Sequence, residues 1–177
     1  MAASTFLSQD MKMYLRAWRK TLVGGLLSCG SLWLALACIS YDSYDPSFNT
    51  AIDGSVHNTC GIWGAYLADV VIQLFGISGH VLWMISFGWG AMLLAGRQLS
   101  WMSFRVVTLA FGLSCLVLWV SFIKPSSSGI LGAMTHNIIL KIWPYSGASW
   151  ISFGLSFVFL LIASHLTRGD FLFIFKR

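Results

Sequence analysis

TLVGGLLSCGSLWLALACIS, residues Thr21 to Ser40, runs for twenty residues without a charge. A helix needs roughly 20 apolar residues to cross the hydrocarbon core of a bilayer, so this stretch reads as a membrane span. Three further runs have the same character. Residues 70–96 are uncharged and interrupted only by Gln73 and His80, residues 106–123 are short and strongly apolar, and residues 147–166 follow Lys141. The whole chain agrees, being 177 residues long, 57% hydrophobic, 10% charged and without a single Glu. Soluble domains are about a quarter charged, so this chain lacks the polar side chains to cover a water-facing surface. The expected class is an all-α, polytopic integral membrane protein with four transmembrane helices.

The basic residues give the orientation. Lys12, Arg16, Arg19 and Lys20 precede the first span, Arg97 and Arg105 lie between the second and third, and Arg168, Lys176 and Arg177 follow the fourth. Lys124 and Lys141 alone fall on the other side. Lys and Arg concentrate in cytoplasmic loops, so both termini are expected in the cytoplasm, with loops 41–69 and 124–146 outside and 167–177 as a cytoplasmic tail. The net charge of +5 is therefore a topology signal before it is a nucleic-acid footprint. Ala35-Leu36-Ala37-Cys38 resembles a cleavage or lipoprotein site, but the apolar run exceeds the 7–15 residues of a secretory core.

Residues 1–20 form a basic leader. Leu7, Met11, Tyr14, Leu15 and Trp18 recur at helical spacing opposite Lys12, Arg16, Arg19 and Lys20. Two readings stand: an amphipathic helix whose four cations contact the anionic inner leaflet, or charges that only set topology. Residues 126–143 read as a short helix on the outer interface, or one folding back partway, limited by Pro144. Phe171 to Phe175 is too short to span and suits the cytoplasmic interface.

Catalytic and metal chemistry find little support. The chain has no Gly-Lys pair, so the phosphate loop of an ATPase is absent from these residues. No nucleophile elbow or C-x-x-C occurs, and Cys29, Cys38 and Cys115 sit in apolar runs as packing residues, while Cys60 has no obvious partner. Asp45, Asp53, His57 and Asp69 lack the tight spacing of an oxygen-ligand cation loop. His80 and His165 are the ionisable groups within spans, and such groups are functional candidates because burying them is costly. Gln73 and His80 are one heptad apart and are expected to share a face towards a neighbouring helix. Small residues four apart (Gly24/Ser28, Gly25/Cys29, Ala91/Ala95, Ser152/Ser156) favour close helix packing, within one bundle or between copies. The Trp residues suit interfacial belts, with Trp83 and Trp119 deeper, between helices.

The segment between the first two spans carries a likeness. Asp45-Pro46-Ser47-Phe48, His57-Asn58, then Gly61-x-x-Gly64-Ala65-Tyr66-Leu67-Ala68-Asp69 and Leu74-Phe75-Gly76 follow in that order. This resembles the first outward loop in the N-terminal four-transmembrane domain of the FtsK/SpoIIIE-type bacterial DNA translocases. Cys60 stands where that family often has a second Gly. The resemblance implies a membrane anchor of the cell inner membrane that helps assemble cell-division proteins at the septum, self-associates, and takes no cofactor. It also implies a linker and DNA-pumping motor that are not within these residues. The chain would thus be the membrane portion of such a protein, or a truncated or split form, with no nucleic-acid contact of its own. A free-standing transporter or channel is the competing reading, and a membrane enzyme a weaker one. Independently of any likeness, Asp45-Pro46-Ser47 favours a turn, and Gly61 and Gly64 permit tight bends or close approach. A folded cap on the outer surface is expected, contacting partner proteins or simply joining two spans.

Overall fold

A computed structural model describes residues 8–49, 55–143 and 145–164. Asp53, Pro144, His165 and the tail 167–177, with Arg168, Lys176 and Arg177, lie outside the described residues. Six α-helices follow one another: α1 (Gln9–Ile39), α2 (Gly61–Phe75), α3 (His80–Leu94), α4 (Met102–Ile123), α5 (Gly129–Ile139) and α6 (Tyr145–Ser164). Single 3-10 turns join α2 to α3 (Gly76–Gly79) and α4 to α5 (Pro125–Ser127). Among the described residues four stretches are long and apolar enough to cross a membrane: Asp10–Ile39, Gly61–Leu94, Met102–Ile123 and Gly147–Ser164.

Several boundaries differ from the expected ones. The leader and first span are one helix that begins with Ser8 Oγ accepting from the Met11 amide, so the basic residues continue the axis of the span. At 1.5 Å per residue such a helix is about 46 Å long, well over the ~30 Å hydrocarbon core. The second span starts near Gly61 instead of residue 70, which places Asp69 inside a helix that was expected to begin after it. That span is also broken: Gly76 takes φ +58, and a Cβ there would collide with the carbonyl of Ser127. Despite the break, Gln73 and His80 line one hollow with Cys38, Tyr41 and Ser127, so they share a face as expected, while their hydrogen bonds go elsewhere than to the neighbouring helix. Gln73 bonds to Asp69 and Asn49, and His80 Nδ1 accepts from Trp83 Nε1 at 3.0 Å on its own helix. The third span starts four residues early, bringing Arg105 into α4.

Two antiparallel units make the bundle. In the first, α1 runs against α3, with α2 beside its C-terminal half. Gly24 and Ser28 of α1 meet Gly90 of α3, where a Cβ on Gly90 would sit 2.9 Å from the Gly24 carbonyl. Ser31 Oγ donates to Ser86 Oγ at 2.9 Å across the same seam. Small residues let the two backbones approach, which is how helices associate where lipid removes the hydrophobic drive. In the second unit α4 packs along α6. Leu160 covers Gly112, Trp119 stacks on Phe153 at 4.8 Å, and Ser152 and Ser156 are buried on α6.

The units join at both ends. At one end Gly129 (φ +67) backs onto Gly76 and the Leu74 carbonyl, and α5 folds across the last turns of α4, with Gly132 against Val117. The stretch 126–143 is thus helical in its middle and packed back onto the bundle. At the other end Trp89 Nε1 of α3 donates to the Ala163 carbonyl of α6 at 2.8 Å, and Arg105 Nη1 donates to the same oxygen at 3.4 Å. Large apolar side chains face outward, among them Leu26, Ile39, Phe111 and Phe157. That inversion of the soluble pattern suits a lipid surround.

Candidate functional site

The segment between α1 and α2 is built by side chains that replace missing backbone partners. A helix leaves its last carbonyls and first amides without intrahelical bonds. Asn58, fully buried, serves both helices at once. Its Nδ2 donates to the carbonyls of Ala37 (2.8 Å) and Ser40 (3.3 Å) at the end of α1. Its Oδ1 accepts from the Cys60 amide at 3.0 Å, and its own carbonyl accepts from the Gly61 amide, opening α2. Gly64 lies one turn on, and a Cβ there would collide with Asn58 Oδ1. Gly61 takes φ +68, a conformation that side chains rarely adopt. Each glycine therefore has its own reason, one conformational and one steric.

Asp45 holds the returning chain. It is buried, with Oδ1 accepting from the His57 amide at 2.7 Å and Oδ2 from the Asn58 amide at 2.8 Å. Two amide bonds to one carboxylate are charge-assisted and strong. His57 Nδ1 stands 3.3 Å from Asp45 and 3.8 Å from Asp42, on the solvent side. Ser47 Oγ accepts from the Asn49 amide, and Phe48 stacks on Tyr66 of α2 at 4.8 Å. The turn itself comes just before Pro46, where the Asp45 amide donates to the Asp42 carbonyl at 3.2 Å.

A second set lies one layer deeper. Asp69, buried within α2, accepts from Tyr41 Oη at 3.1 Å and from Gln73 Nε2 at 2.8 and 2.9 Å. Gln73 Oε1 in turn accepts from Asn49 Nδ2 at 3.0 Å, tying this set back to the turn. Burial, then the bond to Asp69, then the Asp69 and Asp42 charges push the Tyr41 hydroxyl up to about 12. A carboxylate within a candidate span is thereby fully engaged as an acceptor, as burial demands.

The residues singled out from the sequence thus divide. Asp45, Pro46, Ser47, Phe48, His57, Asn58, Gly61, Gly64 and Asp69 converge on this cap. Ala68 packs against α1 beside Ala37 and Cys38 and Ala65 is buried, whereas Leu67 is exposed. Cys60, expected to lack a partner, has its thiol 3.4 Å from the Trp33 carbonyl. Lys12, Arg16, Arg19 and Lys20 stand on α1 at the opposite end of the molecule. Sequence reasoning missed Tyr41 and Asn49, and at the opposite end the clasp of Trp89, Arg105 and the Ala163 carbonyl. Trp89, taken for a belt residue, is buried. The i, i+4 spacing of Asp69 and Gln73 was a readable signal, whereas nothing local announces Tyr41.

Both buried carboxylates spend their oxygens on fixed donors, and among the described residues no group of three His, Cys, Asp or Glu could hold a metal ion. What the cap offers outward is aromatic: Tyr44, Phe48 and Trp63 are each about three-quarters exposed.

Four helices long and apolar enough to cross a membrane among the described residues, with a polar cap tying the first two, define a multi-pass membrane domain. Residues 17–176 match the family described as the 4TM region of DNA translocase FtsK/SpoIIIE, and the chain belongs to that family. Among curated relatives, the DNA translocase FtsK of Azospirillum brasilense is 30% identical over 118 residues, covering 66% of this chain and 19% of that protein. The DNA translocase FtsK of Rickettsia typhi is 34% identical over 110 residues, 60% of this chain and 15% of that protein. That of Rickettsia bellii reaches 42% over 52 residues, 29% of this chain and 7% of its own. The chain thus spans less than a fifth of the length of these relatives. The matched region is the transmembrane part of the family. No solved structure matches the chain.

Proposed function

We propose that this chain is the membrane anchor and divisome-assembly domain of an FtsK-type DNA translocase, seated in the bacterial inner membrane with both termini in the cytoplasm. The observation that carries it is the family match over residues 17–176, with the loop motif supplying the folded cap. In this reading the cap faces the periplasm, where Tyr44, Phe48 and Trp63 offer a rigid aromatic surface to cell-division proteins at the septum. Aromatic side chains on a fixed scaffold suit recognition, because little conformational freedom is lost on binding. The domain self-associates, coupling division to chromosome segregation through a DNA-pumping motor located elsewhere in the protein. A transport path gains no support, since Gln73 and His80, the polar groups it would need, bond within their own helices and the cap.

Recruitment tests the proposal. A fluorescent fusion of this chain is expected to collect at midcell and to score for self-contact and for at least one division protein in a two-hybrid assay. Tyr44→Ala/Phe48→Ala should abolish the division-protein contact while leaving membrane insertion intact. Uniform membrane fluorescence together with no contact of either kind would defeat the reading. Cysteine labelling at Ser55 and at Ser8, from outside intact cells, checks the orientation separately.

A further inference from the structure

The leader end of the bundle holds a cavity that the cap and clasp leave unexplained. It measures about 270 Å³ and lies between α1 and the end of α3, lined by Arg16, Lys20, Thr21 and Met13 on one side and Leu93 and Gly96 on the other. Arg16 and Lys20 are one helical turn apart, so both cations reach the same opening. Among the described residues neither has an ion-pair partner. The acidic residue of α1, Asp10, lines a neighbouring hollow with Tyr14, nearer the N-terminus, and not this one.

Its level along the bundle decides the occupant. The uncharged run of α1 begins at Thr21, and α3 ends at Leu94, so the cavity straddles the boundary where both helices leave the apolar region. Below the cations stand Leu93 and the apolar turns of α1. Arg suits a phosphate by its planar fork and Lys as a point charge, and the hydroxyl of Thr21, bonded back to the Ala17 carbonyl, completes a polar rim. An ion in free solution would meet the cations but leave the apolar wall unused. A lipid uses both. Basic pockets between transmembrane helices on the cytoplasmic side are suited to anionic head groups.

We propose that Arg16 and Lys20 form a binding site for the phosphate of one anionic phospholipid, whose glycerol lies against Leu93 and whose acyl chain runs on from there along the apolar turns of α1 that begin at Thr21. The site deepens the anchor reading, since it needs the leader end to lie in the anionic leaflet.

Native mass spectrometry of the full chain in detergent tests it with phosphatidylglycerol and phosphatidylcholine as probes, independently of orientation. The wild type should retain one phosphatidylglycerol and no phosphatidylcholine at matched concentration. Arg16→Gln/Lys20→Gln should weaken that retention by about twenty-fold, the scale expected for two basic residues facing an anionic head group. Lys12→Gln/Arg19→Gln removes the same charge from the same helix outside the cavity and should change it less than about two-fold. Met13→Trp, at the exposed mouth of the cavity, should narrow it and lower retention with all charges kept. Equal loss in the two charge-matched doubles would overturn the site in favour of diffuse attraction. Displacement of the lipid by inorganic phosphate at comparable concentration would overturn the lipid as occupant. Circular dichroism of each variant verifies that the helices are intact, and failure of the orientation labelling alone would leave this result standing.

Discussion

The two ends of the bundle are closed by different physics. At the cap end, the side chains of Asp45, Asn58 and Asp69 make eight hydrogen bonds to amides, carbonyls, a hydroxyl and a side-chain amide, in two adjoining sets. At the opposite end a single carbonyl, that of Ala163, receives both Trp89 and Arg105. The cap is local, tying α1 to α2 across twenty-odd residues of sequence. The clasp is distant, tying α3 and α4 to the last turn of α6. A local network pins the shape of a surface, while a distant bond pins the arrangement of helices.

The comparison is broken most directly at Asp45. Asp45→Ala strips the acceptor from the buried amide of Asn58, left to bear a desolvation penalty of about 1–3 kcal/mol, and from the partly buried amide of His57, for a loss of about 3 kcal/mol in all. Ser47→Ala, which loses one long bond at 3.3 Å, should change stability by less than about 1 kcal/mol. Denaturant titration of both variants in the same detergent measures the gap. Equal stabilities would mean that the carboxylate is not what holds the chain across the cap.

This asymmetry also explains what could be read from the sequence. Four spans, their order and the polar segment between the first two were legible, because uncharged runs of about twenty residues and clustered basic residues survive without knowledge of contacts. The likeness carried by Asp45-Pro46-Ser47-Phe48 and Gly61 to Asp69 drew attention to the segment that folds as the cap, but not to the work of each residue. Asn58 bridging two helix ends requires the ends to be adjacent, which no spacing reveals. The start of the second span was misplaced because Asp69 reads as a boundary charge, whereas Tyr41 and Gln73 allow it inside the helix. The clasp was invisible for a stronger reason. Its acceptor is a backbone carbonyl, and Arg105 taken alone reads as a topology residue.

Glycines sharpen the contrast next. Gly64→Ala places a methyl on Asn58 Oδ1 and must displace the side chain that caps both helices. Overpacking of this kind costs about 1–3 kcal/mol, and about 2 is expected, with the lost cap adding to it. Gly88→Ala, with nothing within 4 Å of the new methyl, should be neutral or stabilising by up to about 1 kcal/mol through helix propensity. Thermal unfolding of the pair in one detergent checks both signs, and a destabilising Gly88→Ala would point to a packed surface on that face.

Trp89→Phe probes the clasp with a smaller effect. It keeps the ring and removes the N–H to the Ala163 carbonyl, for about 1 kcal/mol, because Arg105 still donates to the same oxygen. Trp89→Phe/Arg105→Met should exceed the sum of its single changes, since only the double leaves the oxygen bare, and a double-mutant cycle reads that surplus. Strict additivity would show the two donors to be independent, and the clasp to be two contacts instead of one.

The smallest expected effect separates the deeper layer of the cap from its rim. Tyr41 holds its proton to about 12 in the folded protein, against an ordinary value near 10, through burial and its bond to Asp69. The folded state therefore binds that proton more tightly than the unfolded state does. The stabilisation is complete below about pH 10 and is lost as pH rises from there through about 12, because in that window only the unfolded chain has released the proton. Tyrosinate absorbance should show one late-titrating phenol that disappears in Tyr41→Phe. In Asp69→Asn, the same phenol should titrate earlier, since the charge beside it is gone although burial remains. An unchanged late phenol in Asp69→Asn would assign the shift to burial alone, and the Tyr41–Asp69 bond would then hold geometry without tuning the proton.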